Sequence, residues 1–557
     1  MPCWDDCCVD ESPQTDLSGK QMADDRCSWD GEMKEPDQVD GQSQAAHGLR
    51  AMRSVESFEM IPESDLNTDE VSGSKLMQKM RSTDFGILRG TTISQSLRGG
   101  GSLWQKNPKE LDIKHRESLF QKSQPVENLD VFISHPWASK GWSKVLSLLM
   151  QSGCSVSLVC WFLGALLALV LCLTDVLPMP LRYVAQTATF SAICPTGPWI
   201  MIFGLVGTFM GLLLSPYRPG QQGDVCFIDA ACIHQTNTEL MQRGIRGIGG
   251  FLLVARELRI LWSPAYLTRL WCVFELATYK RLNPNGKIVL APLFLEKIVL
   301  LFYLGNSCVS YCFLLLRGSG AATQIALPGI LFCWLPFLLT VHHSRRNYVQ
   351  KHQLVSQFVN FDLDSVECAE ESDREFVNTA IVELYGSKEA FTSFVRGPLQ
   401  QEVLEPICRT PIPGKYVFWM VTPTICMQAE FLLSLWKGGA PLDVFLIYLF
   451  SMCIVGVGAH WQASMSLINL LCDHLAEPAF KQMWACDYLQ TLLILFIFLL
   501  YTALGMLLVY VPYYASSWPL FLCLFWVPIL LFILIHWLQR RSSHQKMLKA
   551  SGHVGAP

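Results

Sequence analysis

Apolar and polar positions along this chain sort into two kinds of stretch. The first kind is long. About 20 consecutive apolar residues are needed to cross a hydrocarbon core of about 30 Å. Eight stretches approach that length: 155–173, 199–214, 298–316, 326–341, 416–436, 442–459, 491–511 and 518–537. The second and fourth are short enough to be tilted or re-entrant. The second kind is short. Runs at Leu129–Ser134, 224–229, 258–263 and Lys287–Pro292 are apolar, bounded by polar residues and the length of buried strands. Helical patterns at 139–149, 245–255 and 268–281 alternate with them. This alternation predicts a parallel sheet covered on both faces, threaded by transmembrane hairpins.

Composition supports the division. The chain is 51% hydrophobic and 16% charged over 557 residues, with a mean hydropathy of +0.29. A soluble protein carries about 25% charged residues, so much of this chain faces lipid. Lys and Arg are sparse in the turns inside the four predicted hairpins and richer on their outer flanks, as at Arg345, Arg346, Arg540 and Arg541. The positive-inside bias therefore predicts both termini and all long loops on the cytosolic side. Residues 1–126 are rich in Asp, Glu, Ser, Gln and Gly and show no sustained period, which predicts a disordered acidic tail. No basic region followed by a short apolar core marks a cleavable signal peptide. The 21 cysteines form no CxxC pair, so no thiolate metal site is expected. No basic stripe with interleaved aromatics marks a nucleic-acid partner.

Polar residues inside the spans are few: Asn306 in the third, and Glu430, with Pro423, in the fifth. An intramembrane carboxylate is a functional hypothesis by default, which keeps a transporter or channel among the readings. Yet no paired half-helices or inverted repeat accompany it.

In open parallel sheets, ligands bind at the carboxyl ends of the strands. Those ends carry Ser134-His135, Asp229 and Ser263. The following helix places Leu270, Val273, Phe274 and Ala277 on one stripe. Trp271 and Glu275, four apart, share another face.

Asp130-Val131-Phe132-Ile133-Ser134-His135, Val225-Cys226-Phe227-Ile228-Asp229, Leu261-Trp262-Ser263-Pro264-Ala265-Tyr266 and Leu270-Trp271-Cys272-Val273-Phe274-Glu275-Leu276 stand in order. Together they resemble the first three strands and third helix of a TIR (Toll/interleukin-1 receptor-like) domain, and the Trp-Cys-x-x-Glu-Leu pattern is similar to plant TIR domains. The resemblance spans about residues 128–136 and 223–293. It implies a flavodoxin-like sheet of five parallel strands that self-associates in signalling. In TIR enzymes it also implies cleavage of NAD at the nicotinamide–ribose bond, with NAD as substrate rather than cofactor. Glu275 then takes the catalytic position, and Ser134, His135, Asp229, Arg243 and Trp271 are candidate substrate-binding residues. Arg243, beside Gly244 at an expected helix start, would meet a phosphate. The fifth strand is expected at 357–362, in a segment 343–413 that completes the domain.

The expected function is signalling or scaffolding by a membrane-bound TIR-like domain. The alternatives are an NAD-cleaving enzyme using Glu275, and a transporter or channel with a regulatory TIR-like domain.

Overall fold

The computed structural model describes residues 85–218, 224–319, 332–368, 371–409, 412–479 and 484–552. It is mostly helical, with one mixed six-stranded sheet and a separate β-hairpin.

The sheet begins earlier than its sequence suggests. The tail expected to be unstructured through residue 126 carries β1 (Arg89–Thr92), α1 (Ile93–Gln105), α2 (Ile113–Phe120) and β2 (Gln124–Pro125). Residues 1–84 lie outside the described part. Thr92 caps α1 by accepting from the Gln95 amide at 3.1 Å. The helix breaks at Gly99, Gly100 and Gly101, whose φ values of 62°, 70° and 68° are left-handed. Glycine takes that conformation without a Cβ penalty.

β3 (Leu129–Ser134) runs through a short loop into α3 (Gly141–Leu173). The first turns of α3 pack on the sheet and the rest continue as a long apolar helix. A hairpin of β4 (Leu181–Gln186) and β5 (Ser191–Thr196) follows, and α4 (Trp199–Leu214) returns. Gly207 and Gly211 face α3 so closely that a Cβ on Gly207 would lie 2.4 Å from the Cys160 carbonyl oxygen. Small residues at this spacing let two membrane helices approach.

The chain then re-enters the sheet at β6 (Val225–Phe227). It continues through α5 (Thr238–Arg246), α6 (Ile248–Val254), β7 (Ala255–Trp262), α7 (Leu270–Leu282) and β8 (Lys287–Pro292). The spatial order is β2-β1-β6-β3-β7-β8. β6, β3, β7 and β8 are parallel, with Val131 opposite Cys226 and Leu129 opposite Ala255. β1 pairs antiparallel with β6, and β2 with β1. The four parallel strands, taken in chain order, are arranged second-first-third-fourth, which is the flavodoxin-like order through four strands. Alternation divides the side chains. Val131, Ile133, Cys226 and Leu261 pack beneath α1 and α3. Phe132, Phe227, Leu258 and Ile260 pack beneath α6 and α7.

β8 leads directly into α8 (Leu293–Gly318), and α9 (Leu335–Val359) follows the undescribed residues 320–331. The strand expected at 357–362 is absent: its first residues are the last turn of α9, and the rest lead into a short 3₁₀ turn. The expected strand gives way to helix because Leu354 and Phe358, four apart, are both buried as one helical face. The segment still docks on the domain. Glu367 exchanges backbone hydrogen bonds with Thr268 and Leu270 at 2.8 and 3.1 Å. α10 (Glu371–Tyr385) packs on α7, and α11 (Lys388–Phe394) and α12 (Gln400–Arg409) follow, α12 lying against β8. The sheet therefore gains two antiparallel strands at one edge, not a fifth parallel one at the other.

The remaining helices are α13 (Gly414–Lys437), α14 (Leu442–Tyr448), a π-helical stretch (Leu449–Trp461), α15 (Gln462–His474), α16 (Trp484–Tyr514), α17 (Trp518–Leu524) and α18 (Trp526–Gly552). The segment expected as a linker from residue 460 is thus helical through His474. Among the described residues, seven helical segments are long and apolar enough to cross a membrane: Gly141–Leu173, Trp199–Tyr217, Leu293–Gly318, Gly414–Lys437, Leu442–His474, Asp487–Tyr514 and Trp518–Gln539. The fourth expected span, 326–341, is described from residue 332, and its second half is the start of α9, which is not among these seven. Phe162, Leu163, Leu500 and Leu530 are each more than half exposed, apolar surface that a bilayer would cover.

Candidate functional site

The strand order creates a switch point between β3 and β7, from which the connections run to opposite sides. A crevice forms at such a point outside the strand carboxyl ends. Four of the six residues picked from the sequence converge here.

Ser134 ends β3, with 1% exposure. Its hydroxyl donates to Glu275 Oε2 at 2.5 Å and lies 2.8 Å from the Tyr266 hydroxyl. Tyr266 is fixed in turn by donating to the Cys272 carbonyl at 3.3 Å. Glu275 projects from the second turn of α7 and is half-buried. Its helical partner four residues earlier, Trp271, has other partners. The Trp271 indole donates to Asp373 at 3.0 Å and packs on Phe376, so it ties α7 to α10. Its indole nitrogen is thus engaged by α10 rather than by the Ser134–Glu275 pair.

His135 and Asp229 form the other half of the cluster. The indole of Trp137 donates to Asp229 Oδ2 at 2.6 Å, and the Ala230 amide donates to Oδ1 at 2.7 Å. His135 Nε2 stands 3.5 Å from Asp229 Oδ1, a charge-pair separation without hydrogen-bond alignment. The Lys144 ammonium lies 3.2 Å from His135 Nδ1. An ammonium only donates, so Nδ1 accepts and the ring proton sits on Nε2, toward Asp229. Lys144 is fully buried and also lies 4.6 Å from the Trp137 ring centre. The His135 side chain is 1% exposed, whereas that of Asp229 is 39% exposed, so the carboxylate forms the open side of the cluster.

The electrostatics follow from burial and neighbours. Burial pushes the Glu275 carboxyl up to about 8; the Ser134 hydrogen bond opposes that rise and the Asp229 charge adds to it. Burial and the Lys144 charge hold His135 below its ordinary value, against the pull of Asp229. For Asp229, burial works against the charge, but the contacts from His135, Trp137 and the Ala230 amide outweigh it and hold the carboxyl low. Two carboxylates in one cluster are thus driven apart, one charged and one able to exchange a proton near neutrality.

Arg243 is exposed in the last turn of α5. It was expected at a helix start, where free amides favour an anion. It sits instead at the negative end of the helix dipole, where a cation is stabilised by the helix itself. Lys144, Trp137 and Tyr266 are not among the site residues that the sequence suggests, although Tyr266 ends one of the runs that carry the resemblance. Lys144 lies in a hydrophilic opening turn of α3, and only its placement under the sheet buries it. Its phase with Ser147 and Leu148 was the available signal. Among the described residues, no group of His, Cys, Asp and Glu is arranged to hold a metal ion.

No protein-family model, no curated protein and no solved structure matches this chain.

Proposed function

We propose that this chain is a multi-pass membrane protein whose TIR-like α/β domain, held on the cytosolic face, acts in signalling by cleaving NAD at the nicotinamide–ribose bond with Glu275. One observation carries the reading. Glu275 stands at the switch point of the parallel strands, bonded to Ser134 and in the same cluster as Asp229, while Arg269 is engaged by Glu367 instead. A carboxylate kept free of an arginine can stabilise a developing cation.

In the proposed step the C1′–N bond breaks and its electron pair leaves with neutral nicotinamide. The ribose carries an oxocarbenium-like charge opposite the Glu275 carboxylate. Water adds at C1′, and its proton passes to Glu275 and then to solvent. The products are ADP-ribose and nicotinamide. The open side of Asp229 can accept a ribose hydroxyl.

The cytosolic placement is supported by the Lys/Arg bias and by the sheet itself. β3 and β6 are paired neighbours, so the α3–α4 hairpin between them must leave and return on one side.

The test is nicotinamide release by the purified chain in detergent. Glu275→Gln keeps size and removes charge, and should lower release about a hundredfold, as loss of one electrostatic stabiliser does. Equal release from both proteins would place the activity elsewhere. No release from wild type, with the chain folded and self-associated, would leave the domain as an assembly scaffold.

A further inference from the structure

A cavity of about 470 Å³ opens on the sheet's other flank, away from the Glu275 cluster. Its lining includes Leu148 and Gln151 of α3, Lys287 of β8, Glu296 of α8, and Lys415 and Tyr416 of α13. Gln151, Glu296 and Tyr416 all stand at or within a few residues of the start of an apolar stretch, at 155, 298 and 416. The cavity therefore lies at the level where three spans meet one face of a bilayer.

Glu296 contributes to its wall. Glu296 is 2% exposed. It accepts from the Ser147 hydroxyl at 3.0 Å, the Gln151 amide at 3.3 Å and the Tyr416 hydroxyl at 3.3 Å. All three donors are neutral. A buried carboxylate is costly unless a cation faces it, and no ion pair to Glu296 occurs among the described residues.

A cation marks the same cavity. Lys415 Nζ lies 3.5 Å from the Gln151 carbonyl and 5.2 Å from the Tyr416 ring centre, and has no ion pair among the described residues. The other cations are taken: Arg259 and Lys287 each hold Glu257 at 2.7 Å. The site thus presents one carboxylate lacking a cation and one cation lacking an anion, bridged by Gln151.

We infer that this cavity binds the headgroup of a zwitterionic phospholipid, with its ammonium at Glu296 and its phosphate at Lys415. The acyl chains would run along the apolar surfaces of α3, α8 and α13, whose spans begin here. A lipid at this point would touch β8, α8 and α3 together, coupling the sheet to the bilayer. The inference needs only that the chain lies in a bilayer, and it stands apart from the NAD reading.

The experiment is native mass spectrometry of the full chain in detergent, titrated with phosphatidylethanolamine or phosphatidylglycerol. These lipids share the phosphate and differ in the amine. Wild type should retain phosphatidylethanolamine at least about tenfold more tightly, because one buried charge contact distinguishes them. Glu296→Gln should abolish that difference, and Lys415→Gln should weaken both lipids. Ser152→Trp, at an exposed lining position, should block the cavity with both charges intact. Equal retention of the two lipids by wild type, or a preference surviving in Glu296→Gln, would overturn the proposal. So would displacement of the lipid by equimolar soluble glycerophosphoethanolamine, which would assign the site to a soluble amine instead. If Glu296→Gln fails to fold, Ser152→Trp decides alone: undiminished phosphatidylethanolamine binding would refute the site.

Discussion

Two glutamates, one in each part of the molecule, have opposite company. Glu430, in α13, is fully buried among membrane helices, and its Oε1 accepts from the backbone amides of Ile200 at 2.5 Å and Met201 at 3.4 Å. Those amides are orphan donors of the first turn of α4, so Glu430 caps a neighbouring helix. Glu275 instead accepts from a side chain, Ser134, beside a half-exposed carboxylate at a strand end. A carboxylate engaged by backbone amides is committed to architecture. Glu275 is engaged by a hydroxyl, and the open side of its cluster is Asp229. Asn306 follows the Glu430 pattern, donating to the Met420 carbonyl at 2.8 Å and accepting from Thr424 at 3.1 Å. Asn306 and one carboxylate oxygen of Glu430 are thus engaged in helix packing, whereas the domain's polar cluster is held by side chains at strand ends.

The contrast predicts that polar substitutions among the helices act on stability and those in the domain cluster act on turnover. The largest stability effect is expected at Asp487. It pairs with Arg345, a wholly buried guanidinium, and with Arg346 at 3.0 Å. Asp487→Ala leaves Arg345 without its counter-charge and should cost about 3–5 kcal/mol, read as a lower unfolding midpoint in detergent. Surviving folded protein should keep its nicotinamide release. A selective loss of turnover at full stability would break the comparison.

The pH dependence comes next. The ionised form of Glu275 is the active one in the proposed step, and its carboxyl is raised to about 8. Below that value kcat/KM should rise about tenfold per pH unit. Binding of the cationic nicotinamide ring favours the charged carboxylate, so the limb in kcat should fall at lower pH than the limb in kcat/KM. Stability should run the other way. The folded state holds this proton between the ordinary carboxylate range and about 8, so Glu275 contributes a loss of stability as pH rises through that window. Glu275→Gln should flatten the decline. A decline unchanged in the variant would reassign it to another group.

Glu430→Leu should cost about 1–3 kcal/mol by leaving the first amides of α4 unsatisfied, again without altering turnover per folded molecule. The smallest effect is expected at Trp271. Trp271→Phe removes the hydrogen bond to Asp373 and should cost about 0.5–1.5 kcal/mol, with KM for NAD unchanged. A raised KM would return Trp271 to the binding site.

The elements that the sequence located share one property: their signal is local. β3 at Leu129–Ser134 coincides with the apolar run read from the chain because a central parallel strand is buried on both faces, and β8 at Lys287–Pro292 coincides with its run although it is the edge strand, because α12 lies against it. The apolar spans were legible because a bilayer demands continuous hydrophobic length. Ser134, His135, Asp229 and Glu275 were legible because strand ends and a helix face place them in one register. What escaped was whatever depends on a distant partner. β1 is the four residues Arg-Gly-Thr-Thr, a strand only through its pairing with Cys226 and Val225. The 357–362 run is apolar enough for a strand, but it continues α9, whose buried face extends from Tyr348 through Leu354 to Phe358. Lys144 is an ordinary helix-start lysine until the sheet covers it. Arg243 depended on which end of its helix it occupied. Local pattern thus determined which segments are strands and spans and which side chains share a register. Tertiary packing alone decided which strands pair, which charges are buried, and which glutamate caps a helix while the other meets a strand-end hydroxyl.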